Sequence, residues 1–235
     1  HLTFGYDHNK PIDKDVLPNG LTHLTIGVEY ETPLRKDILP NSLTDLTFNG
    51  VNIISLPTNL THLTLGDNYN QPIEDILLPR ELTHLTFGDS FNQPIDKVIL
   101  PNGLTHLTFG NKYNQTFDKG VLPIGLTHLT LGDYFNKKID KGVLPIGLKH
   151  LTFGWYFNQS IDKDVLPIGL LRLIFGFDYE RTIHINVLPH SLTHLRFGKV
   201  YNRTIGIDVL PPSLMYLEFM GPYPIHKMKK QLLPK

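Results

Sequence analysis

Histidine is the side chain whose spacing in this sequence most invites chemistry. Of the 12 histidines, His23, His62, His84, His106, His128, His150 and His194 all stand before a leucine in a recurring L-x-H-L motif. His62 to His150 form an unbroken run, one every 22 residues. Imidazole binds zinc, copper and nickel, so metal ligation is one chemistry such a row could serve. A structural zinc site, however, needs four convergent ligands, whereas a flat row points its rings in parallel. The second chemistry is protonic. A stack of neutral imidazoles charges, and repels itself, as pH falls through the region near 6.5. The row reads as that second kind, a histidine ladder flanked by threonines, with no metal and no cofactor.

One histidine per line demands a chain that returns to the same point every 22 residues. The leucine after each histidine position gives the period: Leu2, Leu24, Leu46, Leu63, Leu85, Leu107, Leu129, Leu151, Leu173, Leu195 and Leu217. Only the Leu46 to Leu63 step is short, at 17 residues. A fixed period in this range marks a solenoid, whose coils are too small to bury their own apolar faces and stack on one another instead. Leu104, Leu107 and Phe109 fit a leucine-rich L-x-x-L-x-L pattern. His106 to Phe109 should therefore be a short strand with Leu107 and Phe109 inward and His106 and Thr108 outward. Gly110 should end it, at a turn where glycine costs least.

The return path offers an aromatic column (Tyr30, Tyr69, Phe91, Tyr113, Phe135, Phe157, Tyr179, Tyr201) and an isoleucine column (Ile12, Ile73, Ile95, Ile139, Ile161, Ile183, Ile205), both read as core. An asparagine column (Asn9, Asn70, Asn92, Asn114, Asn136, Asn158, Asn202) should bond backbone groups at a bend. The expected fold is a β-rich, leucine-rich-repeat-like solenoid of 22-residue coils with one parallel sheet on its concave face and little helix. It is read as a single domain over 1–235, cut mid-repeat at His1, with a C-terminal cap or short basic helix over 214–235. The short coil should be slimmer away from the sheet and change the local curvature.

Composition narrows the function. The 22 basic and 22 acidic residues balance, which points to neither nucleic acid nor an anionic membrane as partner. There is no cysteine for a disulfide framework or a thiol mechanism. No apolar run approaches a membrane span, and the reading is intracellular. Sequons stand at Asn59, Asn114, Asn158 and Asn202, three of them on the asparagine column, where burial should keep them from carrying glycan. No phosphate loop, zinc-protease motif or nucleophile elbow is present. The recurring Asp118/Lys119, Asp140/Lys141 and Asp162/Lys163 pairs read as solvated surface, because catalysis needs one unique constellation.

Individual function should sit where outward positions leave the consensus. Toward the C-terminal end Arg172, Ile174, Arg196, Tyr216 and Glu218 replace histidine and threonine. Just after the strands come Tyr134, the only tryptophan Trp155, Tyr156 and Phe177, although Tyr134 and Phe177 could equally fold onto a neighbouring coil. Trp, Tyr and Arg are the types enriched in binding hot spots. The candidate partner-binding residues are Trp155, Tyr156, Arg172, Arg196, Tyr216 and Glu218, with the ladder of His62, His84, His106, His128, His150 and His194 beside them. The sequence thus reads as a protein-binding array, not an enzyme.

The strings YNQPI at Tyr69 to Ile73 and FNQPI at Phe91 to Ile95, set inside L-P-x-x-L-T-H-L-T-F-G units, resemble the FNIP repeat, a divergent leucine-rich repeat of giant amoebal viruses and social amoebae. The resemblance covers essentially the whole chain. It implies a host-cytoplasm recognition array that often follows an F-box, a domain that recruits a cullin-type ubiquitin ligase through Skp1 while the repeats select the ubiquitination target. No F-box lies in these residues, and His1, an uncapped coil end, implies that something precedes it in the full gene. A structural or self-assembling array is the alternative.

Overall fold

The L-x-x-L-x-F stretches become strands because alternate residues have opposite places to go. In HLTF at 84–87, leucine and phenylalanine are buried while histidine and threonine are only partly covered. The computed structural model describes residues 1–227 apart from residues 75, 97, 98 and 207. The strands are β1 (Leu2–Thr3), β2 (His23–Ile26), β3 (Asp45–Phe48), β4 (His62–Leu65), β5 (His84–Phe87) and β6 (His106–Thr108). They continue as β7 (His128–Thr130), β8 (His150–Thr152), β9 (Arg172–Ile174), β10 (His194–Phe197) and β11 (Tyr216–Phe219). All pair in parallel, in sequence order, as one 11-stranded sheet. Leucine pairs with leucine at every step, from Leu2 with Leu24 to Leu195 with Leu217. The fold is a leucine-rich-repeat-like β-solenoid with almost no helix among the described residues. A single 3-10 turn, Ile225–Lys227, follows β11, and residues 228–235 of the expected cap lie outside the described residues.

Behind the sheet, Phe87, Phe109, Phe153, Phe175 and Phe197 each stack on the aromatic four residues later, as in Phe87 on Phe91 at 3.9 Å and Phe175 on Tyr179 at 3.8 Å. Where the next coil also carries phenylalanine at this place the two rings stack, Phe87 on Phe109 at 5.3 Å. This double aromatic column is worth about 0.5–1.5 kcal/mol per pair beyond the burial itself. Some phenols lie so deep that Tyr113, Tyr179 and Tyr201 leave their hydroxyls without a hydrogen-bond partner among the described residues, and burial pushes all three up from their ordinary pKa.

The glycines after the strands are needed for a different reason from the one expected. Gly88, Gly110, Gly132 and Gly154 do not adopt positive φ. A Cβ at Gly132 would overlap the Gly110 carbonyl, and one at Gly154 the Gly132 carbonyl, so the column marks where successive backbones come closest. Left-handed backbone occurs instead at one place in the return path, shared by Asp15, Gly120, Gly142, Asp164, Asn186 and Asp208. Gly, Asn and Asp are the types that adopt it at least cost.

Polar side chains zip the return paths together. Asn70 Oδ1 accepts the Asn92 N–H at 2.8 Å, and Asn92, Asn114 and Asn136 repeat the contact on the next coil. The asparagines are therefore bonded as expected but not buried. Asn114 and Asn158 are half-covered and Asn202 is exposed. Glu31 and Glu180 stand in this column without breaking the bond below them, because only their N–H is needed, by Asn9 and Asn158. A second zip lies one residue on. Gln93, Gln115, Gln159, Arg181 and Arg203 each donate to the carbonyl oxygen of the preceding coil, and Lys227, two positions further along the last turn, does the same to Asn202. Of the Asp/Lys return residues, Lys141 reaches Asp164 at 2.9 Å and Lys138 reaches Asp162 at 2.8 Å across coils.

The short coil loses its residues from the return path and none from the sheet, since Leu46 still pairs with Leu63. Its return segment bridges directly to the coil before it, Leu34 against Ile53. No aromatic follows Phe48 at the usual distance. Its ring instead meets Tyr30 edge-on at 6.3 Å, in space that a side chain at Gly50 would fill.

Candidate protein-recognition face

Strict register turns the outward histidines into a stack. His62, His84, His106, His128 and His150 lie with successive ring centroids 4.1, 4.1, 4.1 and 4.2 Å apart and planes within 14°. The threonine before each ring holds it: Thr61, Thr83, Thr105 and Thr127 place Oγ1 2.8–2.9 Å from Nδ1. Lys149 replaces that threonine before His150 and donates its Nζ to the Gly169 carbonyl. Asp45 closes one end, 3.5 Å from both His23 and His62, and Arg172 follows His150 at the other. His194 lies beyond Arg172 and stacks on Tyr216 at 4.4 Å. Partial burial first, and neighbouring imidazoles second, hold His84, His106 and His128 below the ordinary value of 6.5; for His150 burial comes first and Arg172 second. Stacked rings keep their lone pairs parallel, and among the described residues no three His, Asp or Glu side chains converge as a metal site.

The other sequence-selected residues fall into two groups. Trp155 and Tyr156 lie on the rim that follows the strands, both exposed. Trp155 stacks on Phe177 at 4.5 Å, and Lys199 sits over the far side of the column, 5.4 Å from the Phe177 ring. Phe177 is thus folded against its neighbours, while Tyr134 stays exposed and meets Tyr156 at 5.0 Å. Arg172, Arg196, Tyr216 and Glu218 lie on the outward face of β9 to β11. Arg196 Nε faces Glu218 Oε2 at 3.6 Å, so these two answer each other, whereas Arg172 is exposed and makes no ion pair among the described residues.

On the opposite rim, before the strands, Ile124, Ile146 and Ile168 stand 72%, 66% and 77% exposed in three successive coils. The equivalent residues of earlier coils are Asn19, Asn41, Thr58, Arg80 and Asn102. Ile146 and Ile168 border a hollow of about 650 Å³ lined also by Leu144, Leu166 and Leu188, with Lys163 and His190 at its edge.

Residues 1–29, 8–50, 49–90, 91–134, 135–178 and 179–221 match the FNIP Repeat family model. The chain belongs to the FNIP repeat family. Among solved structures it is similar to CroV588, a giant-virus protein described as a novel circular LRR protein, with 45% identity and a TM-score of 0.86 over 95% of this chain and 37% of that one. It also matches YopM of Yersinia enterocolitica WA-314 at 23% identity and a TM-score of 0.49, over 86% of this chain and 47% of that one. The FNIP chain therefore spans less than half the length of either protein. No curated protein matches it.

This FNIP solenoid is built as a protein-interaction scaffold, an elongated face on stacked repeats. No helix among the described residues is long and apolar enough to cross a membrane. The isoleucine rim was the part of the face that sequence reasoning missed. Its signal was the thrice-repeated Leu-Pro-Ile-Gly-Leu at 122–126, 144–148 and 166–170, which sits beside buried Leu-Pro pairs and merges with them by eye.

Proposed function

We propose that this FNIP array recognises a protein partner non-enzymatically, on a surface spanning residues 124–218. Trp155, Tyr156, Arg172, Arg196, Tyr216 and Glu218 are its contacting residues. One observation carries the reading: the same stretch of coils exposes isoleucine on one rim (Ile124, Ile146, Ile168) and aromatic rings on the other (Tyr134, Trp155, Tyr156). Clustered exposed apolar side chains mark interaction sites, and aromatic residues beside arginine supply hot spots. Repetition elsewhere in the chain offers no unique constellation for catalysis.

At a finer level, the array is the substrate-selecting part of an F-box type ubiquitin ligase adaptor in the host cytoplasm, supported by the frequent pairing of FNIP repeats with an F-box. Affinity capture from host-cell lysate with the full-length gene product tests both levels. Recovery of Skp1 and cullin with one further protein that disappears in a Trp155→Ala/Arg172→Ala variant sustains them. A specific protein recovered without Skp1 removes the ligase role, and recovery untouched by the variant removes the patch. The circular form of CroV588 and the uniform joints between these coils support a second reading, a structural array of stacked coils. That array would sediment as species growing with concentration.

A further inference from the structure

We propose that the histidine ladder is an acid-gated docking strip for an acidic peptide segment of a partner protein, running along His84, His106, His128 and His150 and ending on Lys149 and Arg172. The proposal rests on the sheet face being a protein-binding surface, and it adds the chemistry of the segment and the condition for its binding.

The threonine–histidine unit suits both protonation states. The Thr61 carbonyl already accepts two N–H bonds, from Thr83 at 2.9 Å and His84 at 3.0 Å. The Thr83 hydroxyl donates to the same carbonyl at 3.1 Å and lies 2.9 Å from His84 Nδ1, so with that bond made it accepts Nδ1–H from the ring and leaves Nε2 free to take up a proton. When Nε2 gains the second proton, Nδ1–H still donates to Thr83 Oγ1 and the hydroxyl still donates to the Thr61 carbonyl. Thr105 with His106 and Thr127 with His128 repeat the arrangement. Charging the strip therefore needs no movement of a ring or a hydroxyl.

The protein supplies counter-charge at one end only. Facing the ladder are His23 on β2, Asp45 on β3 and His62 on β4, and at the far end Lys149, Arg172 on β9 and His194 on β10. The second outward row, Thr64, Thr86, Thr108, Thr130 and Thr152, is uncharged. Asp45 is engaged by His23 and His62, and among the described residues no carboxylate pairs with the four rings beyond them. Imidazolium charges about 4 Å apart therefore look outward for an anion, and side-chain carboxylates take Nε2–H in charge-assisted hydrogen bonds. Partial burial and, after it, neighbour repulsion hold the rings below the ordinary value of 6.5, which sets the gate.

Calorimetry and thermal shift with the whole chain and an oligo-aspartate peptide test this. The expected result is binding at least about tenfold tighter at pH about 5 than at about 7.5, with a rise in melting temperature only at the acid value. In a His106→Gln/His128→Gln variant that still melts cooperatively, the acid gain should disappear. Equal affinity at the two pH values, or an acid gain that survives the glutamines, overturns the proposal. Inorganic polyphosphate binding more tightly than oligo-aspartate overturns the peptide as the occupant. Because the probe is a peptide and the altered residues lie off the rims, failure here leaves the rim-based reading standing, and failure of lysate capture leaves this one.

Discussion

Strands β4 to β8 and strands β9 to β11 share one interior and present two exteriors. Inside, Leu107, Phe109 and Tyr113 have the same places as Leu195, Phe197 and Tyr201, all buried. Outside, the first group carries an unbroken row of histidine and threonine, and the second carries Arg172, Ile174, Arg196, Tyr216 and Glu218. Stacking is secured by the leucine, aromatic and glycine columns and by the asparagine and glutamine zips, none of which involves the outward face. The face is therefore free to vary coil by coil, and its regular stretch asks for as much explanation as its irregular one.

The comparison breaks first at the glycine column, which both groups need. Gly132→Ala should cost about 3 kcal/mol, because the neighbour in its way is backbone and cannot move aside; chemical denaturation measures it, and a neutral result would refute the close approach. Asn114→Ala removes the acceptor for the Asn136 N–H and should cost about 1 kcal/mol by the same measurement.

Acid sharpens the contrast between the groups. His84, His106, His128 and His150 have folded pKa values below 6.5, so the folded state binds fewer protons than the unfolded one. Their contribution is complete above 6.5 and is lost as pH falls through that value toward the folded pKa. Without an anionic ligand the melting temperature should drop by a few degrees between pH about 7 and about 5. His106→Gln/His128→Gln should flatten the profile, and an Arg196→Gln change in the irregular group should not. The smallest stability effect belongs to the rims: Trp155→Ala with Ile168→Ser should stay within about 0.5 kcal/mol of the parent. Partner capture should nonetheless fall at least about tenfold.

Much of this was legible because a period converts sequence position into place. The inward leucines, the histidine stack and the asparagine bonds all follow from spacing plus side-chain type. The second zip escaped because Gln93, Arg181 and Lys227 share only a donor, and no column of like residues advertises them. The glycine column was read for the wrong reason, since a glycine kept for lack of space and one kept for φ look alike in sequence. Arg196 and Glu218 were chosen as separate anchors, yet register places them side by side as an ion pair. Which aromatics stay exposed depended on ring packing between coils, and periodicity carries no information about that.

The short coil before Leu63 has a consequence for how such a chain changes through its history. Every junction between strands has the same register, so gaining or losing a whole 22-residue repeat creates no strand seam that is not already present elsewhere. The coil that lost part of its circumference kept its strand in line with its neighbours. Number and girth of coils are thus open to unequal recombination without a mismatched joint, and the length of the array becomes something inheritance can adjust.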